Sequence, residues 1–498
     1  MNCRSLFFII LTLLSSNKSW GQFTALNSYF NLATNGYTYF LDVKLVDDSL
    51  TIFGDIAEDT ISKRQNVFLA RMDTLGNISK IKFFYDPLGQ SENLINRNAQ
   101  ISTTLDGGYI YTTVPFERNN NVVFYKTNKN FELEFAKEFE LDNCTVYSIN
   151  SIEVENSYFI GLDVCTQNGN DHDYCIVKTD LHGNKLWHKF YGTEDNYEWL
   201  RNIKSFKYGE VTLLGNQSIN NQGRVAITTI DTSGMVVKEI FNMGDGEGNI
   251  YDIDTLDNGD YIYICSQLKD IVDYNSSLRI YRIDSQGEVI WKKVINDDVF
   301  NAYLYRMHRN ANGTYTIIGK EEGKGRSLCI TQDGEVLWQH IYKLPFSPMP
   351  IQYYSGLLGM TALPSGNIIA CGYFRDLTDL KDEEQGWLVK LDADGCIDKN
   401  CKTLLGDQEV IEIDELKVGV YPNPSNGLLK VNIPYGQNMD DCMIKIYDIV
   451  GNVILNKKLF EGVNDIDLGK DVTSGVLIYN VSSDSGKSLK SGKLIITK

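Results

Sequence analysis

Short runs of alternating apolar and polar residues cover most of the chain, and turn-forming residues separate them. One phrase recurs: an alternating apolar run, then Asp, two residues and Gly, then a second apolar run that often contains Trp. Asp-x-x-Gly favours a tight turn, and the flanking β-branched and aromatic residues favour strands, so each copy predicts a β-hairpin. Five clear copies begin at Asp73, Asp180, Asp231, Asp284 and Asp392, and two degenerate copies begin at Thr127 and Thr331.

A second phrase alternates with the first, and it consists of a turn followed by a β-rich run. Its turns fall at residues 47–48, 106–108, 156–157, 208–209, 258–260, 312–313 and 365–366. Each repeat therefore holds two hairpins, or four strands. A lone four-stranded sheet cannot bury both of its faces, so neighbouring repeats must stack, and radial stacking of such sheets predicts a β-propeller.

The two ends of the repeat region predict how the ring closes. The N-terminal part supplies a second-phrase hairpin with no partner, and the segment 387–401 supplies a first-phrase hairpin with no partner. Joined, they would complete one unit, so we predict a seven-bladed propeller over residues 22–405, with eight blades as the alternative. The Glu- and Ala-rich stretch 131–141 resembles a helix, but the register of the repeat makes it a strand. Trp187, Trp291 and Trp338 are predicted to pack between blades.

The pattern changes beyond the repeats. Residues 406–417 are acidic and predict a linker, and short alternating runs with evenly spaced turns then predict a small Ig-like β-sandwich over 418–498. Two prolines near its start fix the backbone and remove hydrogen-bond donors, so no regular strand passes through them. The predicted fold class is all-β throughout. The residues that stand out in this tail are Tyr421, Pro422, Asn423, Pro424, Gly427, Asp448, Gly451, Gly475 and the terminal Lys498.

These tail motifs resemble the type A C-terminal sorting domain of proteins exported by the type IX secretion system of Bacteroidetes-type bacteria. The resemblance implies that the type IX machinery recognises the tail and passes the protein across the outer membrane. It also implies that the tail is usually cleaved afterwards, which leaves the body released or anchored at the surface. The family often has an aromatic residue two positions after the glycine at 475, where this chain has Leu477.

The N-terminus has the features of a signal peptide over residues 1–21. Arg4 precedes the apolar run 6–14, and the small residues Ser19 and Gly21 fit a cleavage site before Gln22. The apolar run is shorter than the roughly 20 residues that span a bilayer, so we expect no transmembrane segment in the mature chain. The expected location is secreted or on the outer-membrane surface.

Charge and cysteine content narrow the candidate partners and bonds. A formal net charge of −18 opposes binding to nucleic acid, which needs clustered Lys and Arg. Export permits disulfides. Cys396 and Cys401 flank a tight loop and form the preferred pair, and Cys165 with Cys175 is the second choice. The cysteines at 265, 329 and 371 lie in apolar runs and are predicted to be buried thiols.

The sequence contains no nucleophile elbow, phosphate-binding loop or zinc motif, so no catalytic residues are assigned. Calcium is the one possible cofactor, because two loops offer several oxygen ligands: Asn170, Asp171 and Asp173 in one, and Asp245 and Glu247 in the other. The preferred function is an exported interaction protein that binds a glycan or protein through loops at one mouth of the propeller. A secreted polysaccharide hydrolase, with residues such as Asp195, Glu198 and Trp199, is the alternative, and a structural cell-envelope component is a third.

Overall fold

The computed structural model describes most of the chain between Leu26 and Thr497. The described ranges are 26–30, 32, 37–57, 65–88, 93–94, 99–141, 144–166, 172–192, 197–219, 222–242, 248–270, 275–343, 353–376, 384–397, 409–412, 419–421, 425–433, 442–460, 462–469, 472–483 and 488–497. Strands dominate them, together with a short 3-10 helix at Phe116–Arg118. Within these ranges, no helix has the length and apolar character needed to cross a membrane.

The strands are numbered in chain order. The first ten are β1 Asn27–Phe30, β2 Thr38–Val46, β3 Ser49–Ala57, β4 Gln65–Met72, β5 Ile78–Phe84, β6 Asn93–Leu94, β7 Ser102–Thr103, β8 Tyr109–Pro115, β9 Asn121–Thr127 and β10 Leu133–Glu140. The next twelve are β11 Cys144–Val154, β12 Ser157–Thr166, β13 His172–Thr179, β14 Lys185–Tyr191, β15 Tyr197–Lys204, β16 Glu210–Ile219, β17 Gln222–Asp231, β18 Val236–Asn242, β19 Gly248–Thr255, β20 Tyr261–Asp270, β21 Asn275–Ile283 and β22 Val289–Phe300. The body ends with β23 Tyr303–Arg309, β24 Tyr315–Glu321, β25 Lys324–Ile330, β26 Val336–Lys343, β27 Tyr353–Ala362, β28 Ile368–Asp376 and β29 Glu384–Leu391.

The body strands pair mainly in antiparallel groups of four, which we call sheets 1 to 7. Sheet 1 holds β2–β5, sheet 2 holds β6–β10, sheet 3 holds β11–β14, sheet 4 holds β15–β18, sheet 5 holds β19–β22, and sheet 6 holds β23–β26. Sheets 3 and 4 are joined by a single parallel pair, His172 opposite Tyr197, and we treat them as two sheets. In sheet 2 the two short strands β6 and β7 both pair with β8. Sheet 7 holds β27, β28, β29 and, from the N-terminal side, β1. The predicted strand in the Glu- and Ala-rich stretch is confirmed as β10.

Sheet 7 contains residues from both ends of the body, and it packs against sheet 1. β1 pairs antiparallel with β29, and Asn27 accepts a hydrogen bond from the Trp387 indole N–H at 2.8 Å. Buried Phe40 and Val43 of sheet 1 share an apolar cluster with Leu388 of sheet 7. The predicted hairpin exchange is wrong in detail, because β2–β3 and β4–β5 belong to the same sheet and one strand, not a hairpin, joins sheet 7 from the N-terminal side.

Both sequence phrases form turns at the same end of their sheets. Antiparallel strands alternate in direction, so the turns between strands 1 and 2 and between strands 3 and 4 share one end, which we call the turn face. The connections between strands 2 and 3 and between successive sheets lie at the opposite end, the loop face. At the first-phrase turns, the Asp side chain accepts hydrogen bonds from the next turn N–H groups, as Asp180 does from His182 and Asn184.

In sheets 6 and 7, the turn that follows the third strand covers the outer strand of the preceding sheet. A Cβ at Gly334 would lie 3.1 Å from the Trp291 ring, and one at Gly395 would lie 2.4 Å from the Trp338 ring. The Trp338 indole N–H also donates to the Ala393 carbonyl at 2.9 Å. These tryptophans therefore pack between neighbouring sheets, as predicted, and glycine is required where the turn backbone approaches their rings.

One degenerate turn is displaced by a residue from its predicted position. The sequence placed the Asp and Gly equivalents of sheet 2 at Thr127 and Asn130. Instead, Asn128 occupies the Asp position and accepts hydrogen bonds from the N–H groups of Asn130 and Glu132. Phe131 takes the glycine position with a φ of 63°. Phe131 is buried beside Tyr109, and this burial offsets the cost of a left-handed backbone at a bulky residue.

The C-terminal region forms two small sheets around one apolar core. After β30 Glu409–Glu412, which belongs to the body, its strands are β31 Gly419–Tyr421, β32 Leu428–Ile433, β33 Cys442–Tyr447, β34 Val453–Leu459, β35 Gly462–Asp467, β36 Gly475–Ser482 and β37 Ser488–Ile496. β31, β32 and β35 form one sheet, and β34, β33, β36 and β37 form the other. Val431 of the first sheet and Ile444 of the second are fully buried in the shared core.

The acidic segment before this region contains a strand that the sequence did not predict. β30 pairs in parallel with β26, from His340 opposite Glu409 to Lys343 opposite Glu412. It therefore adds a fifth strand to the outer edge of sheet 6. Part of the predicted linker 406–417 is thus attached to the body.

Candidate functional site

The two faces of the body differ in how uniform their connections are. On the turn face, the connections from strand 3 to strand 4 are four or five residues long wherever both strands are bounded. On the loop face, the connections range from two residues between Ile219 and Gln222 to nine residues between Lys343 and Tyr353. Variable connections on a uniform scaffold are where binding residues concentrate. We therefore expect a binding site on the loop face.

The first strands of most sheets each contribute one polar residue to a ring inside the body. The first strands of six sheets form a series of contacts across sheet boundaries, in the order β11, β15, β19, β23, β27 and β2. Each of these strands has a β-bulge near its middle. At five of these bulges the residue after the register shift is polar: Asp42, Asn150, Asn202, Asp252 and Arg306. Bulges redirect single side chains, and here they turn polar groups towards neighbouring first strands.

Three of these side chains connect to the next sheet through its backbone. Asp42 accepts from the Ile101 N–H at 3.2 Å, Asn150 from the Ile203 N–H at 3.1 Å, and Asp252 from the Met307 N–H at 2.9 Å. All three accepting residues are buried. These hydrogen bonds satisfy backbone N–H groups of buried residues in the neighbouring sheet, so we assign this ring to the stability of the body.

Charged groups of opposite sign accompany the ring. Lys44 Nζ lies 2.9 Å from Asp42 Oδ2, and Lys204 forms an ion pair with Asp252. Burial lowers the pKa of His308, and the charges of Lys204 and Lys44 act in the same direction. The cations and carboxylates are thus matched in pairs. Within the described ranges, no group of three His, Cys, Asp or Glu residues is placed to hold a metal ion.

Seven tyrosines form two groups of contacting rings at the loop face, which together we call the tyrosine arc: Tyr37, Tyr39, Tyr251, Tyr303, Tyr305, Tyr354 and Tyr373. They come from sheets 1, 5, 6 and 7 and lie at or near strand ends on this face. Neighbouring ring centroids are 5.2 Å apart for Tyr37–Tyr39 and Tyr39–Tyr373, 5.6 Å for Tyr354–Tyr373, 6.0 Å for Tyr303–Tyr305 and 5.7 Å for Tyr251–Tyr305.

Lys320 joins the two halves of the arc. Its ammonium lies 5.0 Å from the ring centroid of Tyr303 and 4.6 Å from that of Tyr354, within the range of cation–π attraction. It also donates a hydrogen bond to the Tyr354 hydroxyl oxygen. Tyr37, Tyr303, Tyr305 and Tyr354 remain partly exposed, so the arc presents aromatic surface to the solvent.

An acidic group with an unusual pKa borders the arc. Burial raises the pKa of Glu384 to about 7, and Glu384 accepts a hydrogen bond from the Tyr39 hydroxyl. The strand register places Arg375 opposite both Glu384 and Tyr354, so the three side chains leave the same face of sheet 7. Titratable groups with shifted pKa values often mark binding or catalytic sites.

A second, smaller aromatic group lies at the loop ends of sheets 3 and 4. The ring centroids of Tyr197 and Trp199 are 5.7 Å apart, and His172 lies 5.6 Å from Trp199. Burial raises the pKa of Asp163, which lies 3.9 Å from His172 Nδ1. Of the hydrolase candidates named above, Trp199 belongs to this group, Glu198 is buried and accepts from Gln217, and Asp195 lies outside the described residues.

The predicted calcium ligands fall largely outside the described residues. Asn170, Asp171, Asp245 and Glu247 are not among them. Asp173 lies in β13, where it is the strand partner of Val164 in β12. The calcium hypothesis therefore stays a prediction.

The cysteine predictions have mixed outcomes. Cys396 is disulfide-bonded, but Cys401 lies outside the described residues, so their pairing stays a prediction. The second-choice pair of Cys165 and Cys175 is wrong, because Cys175 is a buried thiol in an apolar cluster. The predicted buried thiols at 265, 329 and 371 are confirmed, and burial raises the pKa of Cys265 to about 12.

The residues singled out in the tail occupy turns and strand ends of the two small sheets. Asp448 forms the same turn as the body repeats, accepting from the N–H groups of Val450 and Asn452, and Gly451 has a φ of 93°. Tyr421 ends β31, and Gly475 begins β36. Gly427 has a φ of 104° before β32, while residues 422–424 and 498 lie outside the described ranges.

No curated protein is significantly similar to the chain. Solved structures that resemble its fold include Drosophila Plexin A in complex with Semaphorin 1b, with a TM-score of 0.43 and 8% identity over 74% of this chain and 88% of that chain. A protein of unknown function from Dyadobacter fermentans has a TM-score of 0.44 and 9% identity over 73% and 97%. An alpha-L-arabinanase from Penicillium chrysogenum, complexed with arabinobiose, has a TM-score of 0.43 and 10% identity over 74% and 98%.

A family model gives the tail its identity. Residues 419–497 match the secretion system C-terminal sorting domain, and these residues are the ones that form β31 to β37. The match covers the motifs at Tyr421, Gly427, Asp448, Gly451 and Gly475. The C-terminal part of this chain is therefore a Por secretion sorting domain, the tail carried by cargo of the type IX secretion system.

Proposed function

We propose that the protein is an exported interaction module that binds a glycan through the tyrosine arc on the loop face of a closed, seven-bladed propeller. The seven sheets, the packing of sheet 1 against sheet 7 and the pairing of β1 with β29 support this architecture. The tail directs export by the type IX route, and the body is then released or held at the outer-membrane surface.

The tyrosine arc is the observation that carries the binding role. Buried and half-buried aromatic residues combine apolar contact area with a polar group, and tyrosine is enriched where proteins contact ligands and partners. Four partly exposed rings lie on the loop face, and the buried Lys320 fixes two of them. A polymer of sugar rings, which have apolar faces and hydroxyl edges, matches an extended row of this kind.

Two experiments test the proposal. In a bacterium with a type IX system, the protein that lacks residues 419–498 is expected to stay on the inner side of the outer membrane. The full chain is expected to reach the cell surface or the medium. A glycan array with purified residues 22–498 is expected to give hits that Tyr305→Ala abolishes. Tyr208→Ala, which changes an exposed tyrosine on the turn face, is the matched control. Equal binding by the Tyr305 and Tyr208 variants would contradict the assignment of the site.

A secreted polysaccharide hydrolase is the second candidate function. The pKa of Glu384 is raised to about 7, while the pKa of Tyr354 is lowered, and groups whose pKa values move in opposite directions can act as acid and base. Release of reducing ends from a bound polysaccharide, lost in a Glu384→Gln variant, would favour this function. Binding without release favours the interaction module.

A further inference from the structure

The sheet of the sorting domain formed by β34, β33, β36 and β37 has an apolar outer face. Successive side chains along a strand point to opposite faces, and one face of this sheet packs on the shared core. On the other face, the strand register aligns four residues in one row across the sheet: Val453, Tyr447, Ile478 and Lys493. Val453 is 56% exposed and Ile478 is 43% exposed, so this row presents apolar surface to the solvent.

Four more exposed apolar residues adjoin this row. Val476 and Ile495 are strand partners on β36 and β37, two positions further along the same face. Ile449 and Val450 lie in the turn between β33 and β34 and are 75% and 77% exposed. Scattered exposed apolar residues are ordinary on a protein surface, whereas a group of them marks a contact surface. We call this group the sorting patch: Ile449, Val450, Val453, Val476, Ile478 and Ile495.

The outer face of the domain's other sheet is different. There the register of β32 and β35 pairs Leu428 with Asp467 and Lys430 with Asp465, and all four residues are exposed. Charges of both signs thus lie beside the exposed leucine, as on an ordinary solvated surface. The sorting patch therefore belongs to one sheet, and it does not follow from the small size of the domain.

Residues that identify the sorting domain lie around the sorting patch. Asp448 and Gly451 form the turn that carries two members of the patch, and the Asp448 carboxylate accepts a hydrogen bond from the Val450 N–H at 2.9 Å. Gly475 begins β36, immediately before Val476. The family match extends over both of these motifs and over β37. The motifs of the family and the exposed apolar residues therefore occupy the same end of one sheet, which connects the patch with sorting.

We infer that the sorting patch is the surface by which a protein component of the type IX machinery holds the tail, burying these residues against an apolar surface of its own. This inference rests on the export role of the tail in the proposed function, and it adds the face that is recognised. Apolar side chains gain free energy when a contact removes them from water. Lys445 is exposed and lies two positions before Tyr447 on the same face of β33. It places a positive charge at the border of the patch, where a carboxylate of the partner would complement it.

The test compares charged substitutions inside and outside the patch in the full chain. Val453→Asp places a carboxylate in the patch, and Phe460→Asp places one at a 66% exposed position just beyond the opposite end of β34. The exported protein is measured at the surface and in the medium of a bacterium with a type IX system. We expect about tenfold less export of Val453→Asp, because the contact would have to desolvate an unpaired carboxylate. Export of Phe460→Asp should equal that of the wild type.

Further variants separate lost recognition from lost folding. Ile449→Asp changes a residue in a turn, outside the strand ladders, and should lower export to the same extent even if Val453→Asp destabilises β34. Val453→Leu keeps the apolar character and should be exported normally. Purified residues 22–498 carrying Ile449→Asp should melt at the wild-type temperature.

Three outcomes would contradict the inference or its basis. Normal export of both aspartate variants, with export still blocked by deletion of residues 419–498, would overturn the inference and leave the proposed export role in place. Export that survives the deletion would overturn that role as well. A dimer of residues 22–498 in size-exclusion chromatography that Ile449→Asp dissociates would assign the patch to a second copy of this chain, and so would also overturn the inference.

Discussion

The Asp252 carboxylate accepts a hydrogen bond from the backbone N–H of Met307 at 2.9 Å, and so joins sheet 5 to sheet 6. The same carboxylate pairs with Lys204 of sheet 4. One buried side chain therefore connects three successive sheets. A β-bulge in β19 makes this possible, because it turns Asp252 out of the regular ladder.

Asp252→Ala is expected to lower the free energy of unfolding by about 3 kcal/mol, because it removes the partner of Lys204 and of a buried N–H. Asp252→Asn should cost less, since the amide oxygen can still accept from Met307. Urea denaturation followed by tryptophan fluorescence measures both changes. A loss in the alanine variant no larger than in the asparagine variant would show that the backbone hydrogen bond contributes little.

Glu384 gives the stability of the body a defined pH dependence. Its pKa is about 7 in the folded protein, against 4.5 for an unperturbed glutamate. The folded state therefore binds the proton more tightly, and this stabilisation is full below about pH 4.5 and is lost as the pH rises towards 7. Glu384→Gln removes the ionisation, so the variant should exceed the wild type by about 2 kcal/mol at pH 8. The difference should shrink on acidification, and thermal melts at pH 5 and pH 8 measure it.

A third prediction concerns β1, the single strand that joins sheet 7 from the N-terminal side, and its contribution to the stability of that sheet. Asn27→Ala removes the oxygen that accepts a hydrogen bond from the Trp387 indole N–H. The Trp387 side chain is fully buried. We expect a loss of about 1 kcal/mol and faster amide hydrogen exchange along β29, because its partner strand is loosened. Exchange along β16, in sheet 4, serves as the internal control. Unchanged exchange in β29 would mean that β1 contributes no protection.

The repeated turns can be tested at Asp180, which is partly exposed and whose side chain accepts hydrogen bonds from His182 and Asn184 of its own turn. Asp180→Ala should cost about 1 kcal/mol, because it removes the hydrogen bonds from two turn N–H groups and from the Asn184 side-chain amide. Asp180→Asn should retain most of the stability, since Asn128 makes the same two contacts in sheet 2. Thermal melting distinguishes the two variants, and equal melting temperatures for both would contradict this role of the side chain.

The sequence predicted those features that arise from neighbouring residues. Turn residues such as Asp180 and Gly183, flanked by alternating apolar runs, located the hairpins, and the Tyr421 and Asp448 motifs located the sorting domain. The turn of sheet 2 was misplaced by one residue, because Phe131 adopts a glycine-like backbone that only its burial explains. The local sequence pattern does not show that burial elsewhere in the fold will offset the cost of a left-handed backbone at Phe131.

The features that were not predicted depend on residues far apart in the chain. The tyrosine arc joins Tyr37 to Tyr373, and no spacing rule connects positions on different sheets. The bulges that orient Asp42 and Asp252 leave no composition signal, since each is a one-residue shift of register against a neighbouring strand. The pairing of β30 with β26 likewise depends on an unpaired strand edge in the folded body.

Both segments that lead away from the body attach along its rim. β1 forms the outer strand of sheet 7, and β30 lies outside β26 on the adjacent sheet 6. A protein domain fused before Asn27 and the sorting domain that follows Glu412 would therefore each be linked to the body through an outer strand, on two adjacent sheets. Neither β1 nor β30 carries a residue of the tyrosine arc, so a carrier could be fused beside either strand without changing the arc.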